Sequence, residues 1–157
     1  ISQGANVVVQ RQLYFHYKGT TQGGNDVVGL PGPATSANAS YYVFAEGFTP
    51  DGYDEWLTLQ NPTANDEGAT LYLVNGHGKG YTPGGIALPA HSRQTIDISA
   101  LVRQKMYQAG ESSGGYAVSM LIEGTPGAVF VAERPFYVNL NNSVTQGGSD
   151  VIGYSGG

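Results

Sequence analysis

Short runs in which apolar and polar residues alternate, separated by Gly, Pro and Asn, recur along the whole chain. A period of two marks a half-buried strand, and strands at this regular spacing predict an all-β fold, an antiparallel β-sandwich of jelly-roll or Ig-like type. The predicted strands are Val7 to Tyr17, Tyr41 to Ala45, Glu55 to Gln60, Thr70 to Val74, Gly85 to Leu88, Thr95 to Ile98, Tyr116 to Ile122, Ala128 to Val131 and Phe136 to Leu140. One or two helical turns are expected over Ser99 to Met106, with Ser99 as N-cap and Gly110 as a stop signal. Leu30 to Ala39 has no periodicity and two prolines, so it reads as an extended linker.

The alternation also exposes a duplication. Gly4 to Gly29 reappears as Gly127 to Gly153, with one extra residue between the arms of the second copy. Val8-Val9-Gln10-Arg11-Gln12-Leu13-Tyr14-Phe15 aligns with Val131-Ala132-Glu133-Arg134-Pro135-Phe136-Tyr137-Val138. Thr21-Gln22-Gly23-Gly24-Asn25-Asp26-Val27-Val28-Gly29 aligns with Thr145-Gln146-Gly147-Gly148-Ser149-Asp150-Val151-Ile152-Gly153. Alternate positions of the first copy are Val7, Val9, Arg11, Leu13, Phe15 and Tyr17, and those of the second are Phe130, Ala132, Arg134, Phe136, Val138 and Leu140. Both faces are apolar with one arginine at the same place, which predicts that both copies lie against a sandwich interior. The Gln-Gly-Gly-x-Asp-Val-x-Gly element reads as a tight turn in each.

The chain therefore divides into an N-terminal donor segment over residues 1–29, a linker over 30–39 and one sandwich module over 40–157, with a duplicated terminal strand at the N-terminus. Three arrangements can shelter the extra strand. It folds back onto its own module, links modules of a tandem array, or crosses into the next subunit by strand addition. In the third arrangement Val7, Val9, Arg11, Leu13, Phe15 and Tyr17 form the subunit interface, and because the contact is heterologous it propagates into a filament.

Composition narrows the partners. Charged residues are 12% of the chain and the net charge is −5, so no basic stripe is available for nucleic acid. No apolar run reaches the roughly 18 residues of a membrane span, which predicts no membrane insertion. The absence of cysteine removes disulfides and thiolate metal sites. With 24 Gly and 11 Tyr, the chain has the style of an extracellular, turn-rich β protein, and its start at Ile1 is expected to follow a removed leader.

The charges that fall among apolar neighbours are Arg11, Glu46, Arg93, Glu133 and Arg134, and they read as structural ion pairs tying strands in register. Asp51, Asp54 and Glu55 read as a solvated turn, with a calcium site as the alternative because oxygen ligands cluster there. Asp66 and Glu67 read as a hairpin turn. His16, His77 and His91 are isolated, so no metal site and no cofactor is expected. No Gly-x-Ser-x-Gly occurs, and Asn75 to Gly85 fails the phosphate-loop spacing and reads as a flexible projecting hairpin. Asn38-Ala39-Ser40 and Asn141-Asn142-Ser143 fit the glycosylation sequon at Asn38 and Asn141.

Several of these segments carry a family resemblance. Phe44-Ala45-Glu46-Gly47-Phe48-Thr49, Trp56 to Pro62, Ser92-Arg93, Glu133-Arg134-Pro135-Phe136-Tyr137 and Gln146 to Gly153 resemble the repeated β-sandwich modules of secreted bacterial surface proteins, whose units often run in tandem. The resemblance spans nearly the whole chain and implies a scaffold rather than an activity. The chain departs by having one body, and Arg11-Gln12-Leu13 lacks the Pro that follows Arg134. The expectation is a non-enzymatic, self-assembling subunit of an extracellular filament, polymerised with copies of itself. The rival reading is a surface module binding glycan or another cell through Tyr53, Tyr81 and Tyr107.

Overall fold

The computed structural model describes residues 10–19, 21–28, 41–140 and 145–156. Val7, Val9, Asn38, Asn141 and the linker over 30–39 lie outside the described residues. The strands are β1 (Gln10–Tyr17), β2 (Thr21–Val28), β3 (Tyr41–Phe44), β4 (Tyr53–Gln60), β5 (Glu67–Asn75), β6 (Gly80–Tyr81), β7 (Gly85–Leu88), β8 (Arg93–Asp97), β9 (Val118–Gly124), β10 (Val131–Leu140), β11 (Thr145–Ile152) and β12 (Tyr154–Gly156). All pairings are antiparallel. One sheet has the order β11-β10-β4-β8, a second β12-β3-β9-β5-β6 with β7 also on β5, and β1-β2 forms a separate two-stranded sheet. The all-β sandwich expected from the alternation is the fold observed.

The core lies between the two larger sheets, where each strand sends every second side chain inward. Leu57 and Leu59 of β4 and Ala132 of β10 meet Tyr42, Phe44, Leu71, Leu73, Met120 and Ile122 from the other sheet, all buried. Tyr42 reaches the interior because its hydroxyl donates to the Phe130 carbonyl at 2.8 Å. Between β8 and β9 the chain forms a short helix α1 (Ile98–Leu101) that widens into a π-turn through Met106, and Ile98, Val102 and Met106 close that end of the core. Its N-cap is Asp97, whose carboxylate accepts from the Ala100 amide at 2.8 Å, and not Ser99 as expected. Ser99 instead points inward, accepting from the Glu55 amide and donating to the Tyr53 carbonyl.

Two further expectations are corrected. The Gln-Gly-Gly-x-Asp-Val segments are not turns but the strands β2 and β11, each running antiparallel to the strand before it. Gly23, Gly24 and Gly148 in them serve close approach of neighbouring groups rather than chain reversal. The reversal between β1 and β2 falls instead at Lys18 and Gly19, both with positive φ. The loop after β5 is also no free projection: the Gly76 amide donates to Gly114, the Lys79 ammonium to the Met106 carbonyl, and His77 meets the Ser112 hydroxyl at 3.2 Å.

Candidate functional site, a hairpin seated on its own likeness

The β1-β2 hairpin and the β10-β11 hairpin are built on one register. Arg11 faces Val27 and Phe15 faces Gly23 in the first, and Arg134 faces Val151 and Val138 faces Gly147 at the aligned places in the second. Their environments differ. The core-facing side of β10 carries Ala132, Arg134 and Phe136, whereas the matching side of β1, with Arg11, Leu13, Phe15 and Tyr17, packs on the outer side of β10-β11. Only one copy fits within the sandwich. The expectation that both copies line an interior thus holds for the second, while the first covers a sheet from outside.

The seat is made by side chains. Phe15 meets the Tyr137 ring edge-on at 5.0 Å, and Tyr17 stacks on Tyr137 at 4.1 Å with 7° between planes. The Trp56 indole N–H donates to the Tyr17 hydroxyl at 3.1 Å, and the Lys18 ammonium donates to Asp54 at 2.8 Å. Gly148 leaves open the space that Phe15 occupies, so a β-carbon there would collide with the ring. Along the other strand the equivalent residues of the two copies are neighbours: Gln22 accepts no shift in register relative to Gln146, whose side chain takes its amide hydrogen, and the Asn25 side chain donates to Ser149 and to the Asp150 carbonyl. The first hairpin therefore lies along the second in the same direction.

At the far end Arg11 is the anchor. Its guanidinium contacts Asp150, whose side chain is 2% exposed, and lies 3.2 Å from Glu133. Burial pushes the Asp150 carboxyl up, against the pull of Arg11. Burial and the neighbouring Asp150 likewise push Glu133 up, with Arg11 and Arg93 opposing. Asp150 is a member of this cluster that the sequence reading missed, since it sat in a motif read as a turn.

A second ion pair lies on the core side. Arg134 pairs at 3.7 Å with Glu55, and its guanidinium lies over the Phe44 ring. Glu46 is exposed, and among the described residues neither it nor Arg93 makes an ion pair within 4 Å. Glu55, read as part of a solvated turn, is wholly buried and accepts from the Phe48 amide at 3.0 Å. Its carboxylate fills the space a side chain at position 47 would need, which is why Gly47 stands there. Burial raises the Glu55 carboxyl to about 7 despite Arg134 and the Phe48 amide. Asp54, its neighbour in the strand, leaves on the opposite side toward Lys18 and Arg103, so the clustered acids of the calcium reading diverge. Among the described residues no group of three metal-ligating side chains converges.

The tyrosines proposed as sugar platforms are engaged by other rings: Tyr53 meets Phe48 and Phe136, and Tyr107 stacks on Tyr116 at 4.0 Å. Tyr81 packs against the core. Among the described residues no helix is long and apolar enough to cross a membrane.

Neither family models nor curated proteins match this chain. Among solved structures it is similar to the crystal structure of Thermotoga maritima 1070, with a TM-score of 0.57 and 13% identity over 74% of this chain and 94% of that one. That likeness is one of fold.

Proposed function

We propose that this chain is a structural, non-enzymatic subunit of an extracellular bacterial filament, joined head to tail when the N-terminal hairpin of one copy seats on the β10-β11 face of the next. The observation that carries the reading is the seat itself. The hairpin shares no ladder with the sandwich and is held by Phe15, Tyr17, Arg11 and Lys18 on side-chain partners. Twelve residues, 29–40, join it to the body, and at full extension they reach about 40 Å. A unit so attached makes the same contacts with its own body or with a neighbour's, and exchange costs little because each seat lost is matched by one gained. Within one chain the result is a closed monomer. Between chains the contact is heterologous and leaves one free hairpin and one free face at the two ends, so growth continues. The low charge and the Gly- and Tyr-rich composition support an extracellular setting.

Two experiments test this. Full-length protein is expected to form fibres visible by electron microscopy, and protein lacking residues 1–30 none; fibres of the truncated chain would refute the reading. The chain has no cysteine, so Asn25→Cys with Ser149→Cys reports the seat directly. Oxidised fibres should run as a ladder of linked chains on denaturing gels, and bonds confined to single chains within fibres would contradict it.

A further inference from the structure

The hairpin seat also brings two oxidisable rings into register. Tyr17 of the hairpin and Tyr137 of the body stack at 4.1 Å with 7° between their planes, closer than the about 4.5–7 Å usual for aromatic pairs. At that separation carbons of one ring lie close to van der Waals contact with carbons of the other. Both rings are held there: Phe15 meets Tyr137 edge-on, and the Trp56 indole N–H donates to the Tyr17 hydroxyl. Neither is sealed in. Both tyrosines are half-buried, and with Trp56 they line an open groove of about 310 Å³, which admits a small oxidant and leaves the rings room to slide.

The chain has no cysteine, so no disulfide can secure this joint, whereas two tyrosines in contact can be joined by oxidation. Each phenol gives up one electron and one proton to a one-electron oxidant. The two tyrosyl radicals share their spin with the ring carbons ortho to oxygen and pair there to form one C–C bond, and the hydrogens on those two carbons then pass to the oxygens and restore the phenols. With hydrogen peroxide activated by a haem peroxidase, two tyrosines and one peroxide give one dityrosine and two waters. Rings already stacked need no diffusional encounter, an advantage that tyrosines which are merely accessible lack. We infer that Tyr17 and Tyr137 form an oxidative cross-linking site, at which a dityrosine bond fastens the N-terminal hairpin to the β10-β11 face. The inference rests on the seat, and on the filament reading only for which chain supplies Tyr17.

The molecule carries its own controls. Tyr107 and Tyr116 stack within the body at 4.0 Å, while Tyr14 and Tyr154 are 78% and 75% exposed and, among the described residues, stack on no other ring. Full-length protein illuminated briefly with ruthenium tris-bipyridyl and persulfate, a small one-electron oxidant, is digested and read by mass spectrometry. Peptides joining Tyr17 to Tyr137, lighter than their sum by two hydrogens, should appear beside the Tyr107–Tyr116 link, with links through Tyr14 or Tyr154 minor. Tyr17→Phe and Tyr137→Phe, each losing only a hydroxyl, should abolish the first link and spare the second. Dityrosine confined to other rings, or none at all, overturns the inference. Fibres grown from a mixture of isotope-labelled and unlabelled chains keep the two readings apart. Mixed-isotope Tyr17–Tyr137 pairs support both, whereas same-isotope pairs alone uphold the cross-linking site and count against the filament.

Discussion

Phe15 lies over Gly148, a residue of the other copy of its own hairpin, in the space where any larger residue would place its β-carbon. Its cross-strand partner Gly23 gives the ring the same clearance from the opposite side. One aromatic ring is thus held between two glycines that the duplication supplied, and the glycine pair that reads as a turn in sequence is a socket in space.

Filling that socket should unseat the hairpin. Gly148→Val places atoms where the Phe15 ring and the Phe136 carbonyl lie, at a cost of about 1–3 kcal/mol. Gly147→Ala, one residue away with nothing within 4 Å of its added carbon, is the control and should be close to neutral. Hydrogen exchange of residues 10–28 reads the difference, with the body amides unchanged. Equal exchange in the two variants would show that Phe15 does not depend on the gap.

Removing the anchor should loosen the other end. Arg11→Ala leaves Glu133 and the buried Asp150 facing each other without the guanidinium that touches both. Since the Arg11 side chain is itself 51% exposed, the loss is set at about 1–2 kcal/mol, below the range for a fully buried pair. Faster exchange confined to the hairpin is the expected readout. An added Asp150→Asn should recover part of the loss by removing the stranded charge, and no recovery would argue against the ion cluster as the anchor.

Acid should stabilise the body through Glu55. Its folded value of about 7 lies above the ordinary 4.5, so the folded state holds a proton that the unfolded chain has released. The contribution is fully present below pH about 4.5 and is lost as pH rises through about 7, with an upper bound of about 3 kcal/mol. Glu133 and Asp150 are raised too and slope the same way. Urea unfolding at pH 5 and pH 8 should show the wild type more stable in acid and Glu55→Gln markedly less pH-dependent. Parallel slopes in the two proteins would remove Glu55 from the account.

Much of the architecture was readable from period and punctuation alone. The alternation in Glu55 to Gln60 and Tyr116 to Ile122 marks strands whose inward residues are the ones buried. The same rule placed Arg11, Leu13, Phe15 and Tyr17 on one face, and their alternates Gln10, Gln12, Tyr14 and His16 are exposed. The segments missed were β2, β6, β11 and β12, rich in Gly, Asn, Asp and Ser, whose strand character comes from the ladders they form, across a hairpin for β2, β6 and β11 and with remote β3 for β12, and not from intrinsic preference.

By itself the chain determined most of its strands, their faces and the existence of two like copies of one segment, because side-chain alternation is a local property of an extended backbone. Only the tertiary structure decided that the first hairpin covers the outside of the second, that Arg134 pairs with Glu55, and that Asp150 completes the Arg11 cluster. Those outcomes turn on room left by residues far apart in sequence or facing across a turn, Gly148 for Phe15 and Gly47 for Glu55, and such room is a property of the packed molecule.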